Sequence, residues 1–265
     1  MTDASGLPAQ YHDHVPSTND LAWSEGRAAF RDRGLSFLGI VANRQTDGRG
    51  RAGRAWHSPG GGLYLSCYFR LGWAPERAAM LTLAAGLAAR AAIKLATGVA
   101  PHLKWPNDLL APDGSGRKLG GILTETRSDG PRIADAVIGL GVNLRTPEQG
   151  YEGDFPASPV ALDAFAEPGR VPTPAALAPA VMRALHDEVR RLGQGEAEGV
   201  VRRARDAMAM WGRRVHAQVG PRAIDGVARD LAADGGLVVR LDSGAEVIVH
   251  AGDVRVRWDG AGSDA

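Results

Sequence analysis

Residues Gly48 to Arg54 read Gly-Arg-Gly-Arg-Ala-Gly-Arg, a formal G-x-G-x-x-G that follows a short apolar run, Ser36 to Ala42 (SFLGIVA). In a doubly wound nucleotide-binding sheet this segment must open a helix, whose N-terminus meets the pyrophosphate. Here it leads into Ala55-Trp56-His57-Ser58-Pro59-Gly60-Gly61-Gly62, which cannot start a helix. The order of residues therefore excludes a Rossmann fold and leaves a long loop, Asn43 to Gly62, between two strands. Long loops inside compact domains are usually functional. Arg49, Arg51 and Arg54 on a glycine-rich backbone form a strip of positive charge that can wrap polyphosphate through paired hydrogen bonds. Repulsion among the three predicts a loop that is mobile when empty and orders on its ligand.

The rest of the 265-residue chain divides into two textures. Ser17 to Arg33 is a helix capped by Ser17 or Thr18. Leu63 to Arg70 is a strand and Pro75 to Thr97 a well-buried helix. His102 to Trp105 and Leu109 to Leu110 are strand pieces around Pro106. Lys118 to Thr126 and Ile133 to Leu144 form an antiparallel pair behind the Asp113 to Gly116 turn. Gly150 to Pro174 connects to helices over Thr173 to Gly193 and Glu196 to Trp211. From Arg213 onward, short β-rich runs broken by Gly-Pro, Asp-Gly-Gly and Ser-Gly-Ala indicate a small barrel. The division falls near Gly212, giving units 1–212 and 213–258 and a flexible tail, 259–265.

Several classes are disfavoured. A net charge of +1 gives no global drive toward nucleic acid or an acidic membrane. The longest mostly apolar stretch, Ala78 to Ala92, falls short of a ~20-residue membrane span. No basic segment leads into an apolar one at the N-terminus, and Cys67 has no cysteine to pair with. The expectation is a soluble cytoplasmic protein, with no membrane partner. His12 and His14 read as exposed histidines of an N-terminal tail.

Basic residues number 31, of which only Lys94, Lys104 and Lys118 are lysines. A retained lysine in such a chain marks a place where a compact point charge suits better than a planar guanidinium. Lys104 opens Lys-Trp-Pro-Asn-Asp, in which Pro106 leaves Asn107 and Asp108 at a strand edge. Lys118 opens Lys-Leu-Gly-Gly-Ile-Leu, whose glycines Gly120 and Gly121 would let a ligand lie against the backbone. Asn143 is an isolated amide in the strand Gly-Leu-Gly-Val-Asn-Leu.

Taken together and in order, Ser17-Thr18-Asn19, the Gln45 to Trp56 loop, Gly-Leu-Tyr-Leu-Ser, Lys-Trp-Pro-Asn-Asp, Lys-Leu-Gly-Gly-Ile-Leu and Gly-Val-Asn-Leu resemble the biotin–protein ligases. The resemblance is strong over Ser17 to Arg145. It extends to Gly226–Val254, which looks like that family's small C-terminal domain. It implies an α+β fold: a class II synthetase-like mixed sheet with flanking helices, plus a C-terminal SH3-like β-barrel. It implies biotin and ATP as substrates, Mg²⁺ with the ATP, and biotinyl-5′-AMP as the intermediate passed to a lysine of a biotin carboxyl carrier domain of acyl-CoA carboxylases.

By the same resemblance, Ser17, Thr18, Asn19 and Gln45 hydrogen-bond the biotin ureido group, and the backbone of Arg49, Gly50 and Arg51 closes over biotin. Gly120 and Gly121 line the same end, and Trp56 packs beside the adenylate, touching both biotin and ATP. Lys118 bridges the biotin carboxylate and the α-phosphate, Arg51 sits on the phosphate and Arg54 on the departing pyrophosphate. Asn107 and Asn143 lie near the adenine or phosphates. Lys104 and Asp108 orient the site, with Asp108 a candidate base for the acceptor lysine. Arg257, rather than Arg255, is favoured to reach the nucleotide from the barrel. Metal ligands are not legible. The 16 residues before Ser17 predict a ligase without operator-DNA binding, as monomer or homodimer. Ala52 is expected to be a tolerable loss of charge. A lipoate ligase would share the fold but lack the arginine loop. An RNA-binding module would leave the Lys-Trp-Pro-Asn-Asp and Lys-Leu-Gly-Gly motifs without a role.

Overall fold

Ser17 sits in extended backbone and accepts a hydrogen bond from the Asp20 N–H, capping α1 (Thr18–Arg33). Gly34 closes that helix at φ 67°, where a Cβ would be strained. The computed structural model describes residues 4–151, 155 and 157–258, so the expected tail 259–265 lies outside the described residues. Among these, a mixed sheet runs β1-β2-β3-β7-β6-β5-β4. Its strands are β1 (Ala9–Val15), β2 (Phe37–Gln45), β3 (Gly62–Trp73), β4 (His102–Lys104), β5 (Asp108–Leu110), β6 (Lys118–Asp129) and β7 (Arg132–Asn143). β1 pairs with β2 in parallel and the other neighbours are antiparallel.

β1 was not expected. His12 and His14 therefore belong to an edge strand in register with Ala42 and Arg44 rather than to a loose tail. The segment AQYHDHV buries only Ala9 and Val15, and pairing with β2 supplies what its weak hydrophobic pattern does not.

The helices α2 (Ala78–Thr97), α3 (Pro174–Gly193) and α4 (Ala197–Ala207) pack together against the sheet. With its leading turn, α2 spans Pro75–Thr97, the range expected for it, and it is long and apolar enough to cross a membrane although its mostly apolar stretch, Ala78 to Ala92, is shorter than a span. Most of it is buried, and packing inside the core accounts for its composition. The last helix is shorter than expected and stops at Ala207 instead of Trp211. Met208 turns extended to pair with Leu103, and the Trp211 indole N–H donates to the Arg205 carbonyl.

A second, antiparallel sheet orders β11-β10-β9-β8-β12. Its strands are β8 (Arg214–Val219), β9 (Arg222–Leu231), β10 (Leu237–Arg240), β11 (Glu246–Val249) and β12 (Asp253–Val256). The division at Gly212 remains a proposal. One hydrophobic cluster runs from α2 through Leu103 and Trp105 to Val215, Leu231 and Leu237 of this sheet. The Trp105 indole donates to the Gly235 carbonyl at 3.0 Å. The Lys-Trp-Pro-Asn-Asp hairpin is thus seated directly on the second sheet.

Candidate active site

The C-terminal ends of β2 and β7, the N-terminus of α1 and the β4–β5 hairpin surround a cavity of about 840 Å³. One end is neutral. The Thr18 N–H and hydroxyl both donate to Gln45 Oε1, at 2.8 and 2.9 Å, and Gln45 Nε2 donates to Ser58 Oγ at 2.9 Å. Ser66 Oγ lies 2.7 Å from Thr18 Oγ1 and 2.6 Å from Asn19 Oδ1. Ser17, Thr18, Asn19, Ser58 and Ser66 are all buried, so each needs a partner, and the network supplies them. Ser17 spends its side chain on the helix cap. Ser58 and Ser66 support this network without having been singled out from the sequence. Their one signal was a serine inside an apolar strand or beside a proline.

The other end is ionic. β4 pairs with β5 so that Lys104 faces Asp108. Lys104 Nζ is 2.7 Å from Asp108 Oδ2, and Lys118 Nζ is 2.6 Å from Asp108 Oδ1. Burial alone would raise the Asp108 pKa, but the two ammonium groups outweigh it and hold it at about 2. Both carboxylate oxygens are occupied by ammonium groups, which bears on its orienting role rather than on the base suggested for an incoming lysine. Asp108 is the counter-ion that positions two cations. The Lys118 backbone is pinned by the Ser158 carbonyl and the Val160 N–H, and its ammonium lies 5.4 Å from the centroid of the Trp56 ring.

The arginine loop folds into a tight hairpin, with Arg49 bridged to Ala55 and the Trp56 N–H on the Gly48 carbonyl. Gly48 has no room for a Cβ, which would meet the Trp56 carbonyl at 2.4 Å. Ala52 adopts φ 54°, a left-handed conformation that costs an L-residue with a Cβ about 1 kcal/mol. The substitution is thus less neutral than its lost charge suggested. Nor do the arginines simply repel one another. Arg49 meets Asp20 and Glu125, Arg51 meets Asn107 Oδ1 and the Gly252 carbonyl, and Arg54 pairs with Asp253. Burial lowers the Arg51 pKa, and nearby Asp108 opposes that shift.

Of the two glycines of the Lys-Leu-Gly-Gly motif, Gly121 reaches the cavity and Gly120 does not. A Cβ on Gly120 would meet the Gly141 carbonyl at 2.6 Å, and one on Gly121 would meet the Trp56 ring at 3.3 Å. Gly139 and Gly141 leave room for Asn19 and Trp56, which their Cβ atoms would meet at 2.1 and 2.4 Å. These positions accommodate the protein's own side chains.

Ser17, Thr18, Asn19, Gln45, Arg49, Gly50, Arg51, Arg54, Trp56, Lys104, Asn107, Asp108, Lys118, Gly121 and Asn143 do line it. Asn107 and Asn143 use their amide N–H groups on the Ile122 and Val160 carbonyls. Arg257 is exposed and does not line the cavity, whereas Arg255, His216 and Trp258 do. The sequence reading therefore favoured the wrong arginine of the pair for the cavity wall. Tyr151 and Phe155, edge-on at 6.5 Å, line it as well and sat unrecognised in a loop without periodicity. Trp56 Nε1 and the Tyr151 hydroxyl are buried cavity-lining donors without a hydrogen-bond partner among the described residues. Asp108 and Asp253 are the acids that line the cavity, and both are engaged by cations.

Residues 13–143 match the biotin/lipoate A/B protein ligase family, and residues 211–257 match the biotin protein ligase C-terminal domain. The chain is 33% identical over 222 residues to the biotin–[acetyl-CoA-carboxylase] ligase of Mycobacterium tuberculosis, covering 81% of this chain and 77% of that protein. It is 35% identical over 156 residues to the bifunctional ligase/repressor BirA of Bacillus subtilis. That match covers 58% of this chain and spans only 45% of the relative's length. Among solved structures, the Leishmania major biotin protein ligase in complex with biotinyl-5-AMP superposes with a TM-score of 0.61 at 26% identity. The superposition covers 92% of this chain and 99% of that one.

Proposed function

The chain belongs to the biotin–protein ligase family, and from that premise we propose that it activates biotin with ATP as biotinyl-5′-AMP and then transfers biotin to a lysine of a carboxylase carrier domain. The observation that carries this reading is one cavity joining a neutral hydrogen-bonding end to a cationic end. The ureido ring of biotin has donors and acceptors that the Thr18, Asn19, Gln45 network can match. A lipoyl dithiolane has no such groups and would leave that network unanswered.

The first step brings a carboxylate toward a polyphosphate, so positive charge must already be aimed at the reacting centre. Lys118 supplies that charge in this reading, which is supported by its ammonium lining the cavity, held by Asp108 beside the Trp56 ring. Attack of the biotin carboxylate oxygen on the α-phosphorus forms the acyl phosphate bond and releases pyrophosphate. Arg51 and Arg54 take up the charge of the phosphates, exchanging their present partners for phosphate oxygens. In the second step the neutral amine of the acceptor lysine attacks the acyl carbon and AMP leaves. The amine's proton passes to solvent or to a phosphate oxygen as the amide bond forms.

Among the described residues, no cluster of three or more metal-binding side chains occurs. Mg²⁺ would be held chiefly by the ATP phosphates and water, which needs no such cluster. The loop 44–62 would exclude water from the mixed anhydride. The test is ATP-dependent incorporation of labelled biotin into a purified biotin carrier domain. Incorporation that needs the carrier lysine supports the reading, and lipoate used in preference to biotin overturns it. Thermal stabilisation by biotin, deepened by ATP, is the quicker companion measurement.

A further inference from the structure

Glu125 lies on β6 opposite Val137 and outside the cavity lining, yet three donors converge on one of its oxygens. Asn19 Nδ2 is 2.8 Å from Glu125 Oε2, Trp23 Nε1 is 3.4 Å and Arg49 NH2 is 3.4 Å. Arg49 is shared: the same nitrogen lies 2.5 Å from Asp20 Oδ1 in the first turn of α1. Trp23 is itself fixed, edge-on to Tyr68 and with the Arg127 guanidinium 4.6 Å from its ring centroid.

We propose that Glu125 is a positioning residue with two effects on one end of the site, an inference that rests on the ligase reading for its substrate. The first is on polarity. A carboxylate only accepts, so Asn19 must turn its NH₂ toward Glu125 and its carbonyl toward Ser66. Gly139 lets the amide lie flat against β7. That orientation leaves one N–H of Asn19 as a donor at a defined place on the cavity wall, facing the ureido carbonyl of biotin. The second effect is on closure. Glu125 and Asp20 form a two-carboxylate clasp on Arg49, the first arginine of the glycine-rich loop. The clasp ties the loop to α1 and β6 at the neutral end, independently of the contacts Arg51 and Arg54 make at the ionic end. A loop held at both ends retains biotinyl-5′-AMP. One held only at the phosphate end is released when pyrophosphate departs.

The experiment compares full-length wild type with Glu125→Gln, Arg49→Gln and the double variant. Amide hydrogen exchange over residues 48–56 without ligand reads the clasp itself and requires no activity. The release rate of biotinyl-5′-AMP, and KM for biotin and for ATP, read its consequence. Glu125→Gln is expected to speed exchange and adenylate release about fivefold, the scale of a partly exposed charge network. The KM for biotin rises while that for ATP stays within about twofold. In the exchange of residues 48–56 the double variant is expected to be no worse than Arg49→Gln alone, because Glu125 holds the loop only through Arg49. Asp20→Asn, on an exposed turn, gives a smaller change in the same direction and serves if Glu125→Gln folds poorly. Unchanged exchange in both Glu125→Gln and Asp20→Asn overturns the clasp, as do additive effects of Glu125→Gln and Arg49→Gln on that exchange. A wild-type protein that forms no biotinyl-5′-AMP overturns the ligase reading instead, and the exchange data still decide whether the clasp exists.

Discussion

The two ends of the cavity are built on opposite principles. At the neutral end Thr18, Asn19, Gln45, Ser58 and Ser66 satisfy one another through hydrogen bonds between α1, β2 and β3. Nothing there must rearrange for a polar heterocycle to dock. At the ionic end the cations are already paired, Lys104 and Lys118 to Asp108, Arg54 to Asp253, Arg51 to Asn107 and Gly252. Phosphates must displace some of those partners. A neutral network can be preorganised cheaply because each polar group finds a geometric partner. Like charges gathered without counter-ions would cost several kcal/mol, so the site holds them on carboxylates until an anion arrives. The acid that holds Arg54, Asp253, belongs to the second sheet, so an exchange of Arg54 onto phosphate would break a contact with the C-terminal unit.

The largest effect that would test this contrast is at Lys118. Lys118→Arg is expected to slow adenylate formation by about a thousandfold while leaving the fold intact, because a planar guanidinium cannot take the position of a point charge between carboxylate and phosphate. Pyrophosphate release and a thermal melt check both halves, and near-normal release would remove Lys118 from its role.

Next is Asp108→Asn, which leaves two half-buried ammonium groups facing each other. A loss of about 3 kcal/mol at neutral pH is expected from urea unfolding. The folded pKa of Asp108 is depressed to about 2, so its stabilisation is fully present above the unfolded carboxylate value of about 3.9 and is lost as pH falls toward 2. The gap between wild type and Asp108→Asn should therefore narrow between pH 5 and about 3. A gap independent of pH would mean that packing, not charge, is at stake.

Two glycines separate the ends more finely. Gly139→Ala drives a methyl into Asn19 at the neutral end, and Gly141→Ala drives one into the Trp56 ring near Lys118. Each is expected to cost about 1–3 kcal/mol of stability. Gly139→Ala should weaken biotin binding with little change in nucleotide binding, and Gly141→Ala should impair both. Calorimetric titrations that failed to separate the two variants would show the ends are not independent. Smaller again is Asp253→Asn, which frees Arg54 from its barrel partner. It should alter the KM for ATP a few-fold and leave that for biotin unchanged, as suits a half-exposed pair. The smallest effect is Ala52→Gly, expected to raise stability by about 1 kcal/mol by relieving a left-handed alanine. No change in the urea midpoint would mean the hairpin carries no strain there.

Much of this was legible in the chain. The alternation and capping signals placed α1, β2, β3, α2 and the β6–β7 pair. The rejection of a helix after Gly53 excluded the wrong nucleotide fold. Most of the residues taken from the motif order converge on one cavity, because a motif records which side chains must meet. β1 escaped because an edge strand with two buried residues has almost no hydrophobic signature until its partner is present. The sequence reading had Asp108 orient the site with Lys104, but its contact with Lys118, ten residues on, is visible only in the fold. The arginine of the last strand was misjudged because alternation places Arg255 and Arg257 on one face without saying where the cavity ends.

What the sequence by itself determined was the local and the repetitive: where the chain turns, which stretches are apolar, and which unusual residue types are retained. Of the three lysines among 31 basic residues, Lys104 and Lys118 line the site, whereas Lys94 is exposed in the last turn of α2. What only the tertiary structure decided was the state of each charge and the purpose of each glycine. Both depend on atoms far apart in the chain, Arg54 on Asp253, Asn19 on Glu125, Gly141 on Trp56. Pairing energies and close contacts act through a few ångströms of space and are indifferent to sequence separation, so no local pattern encodes them.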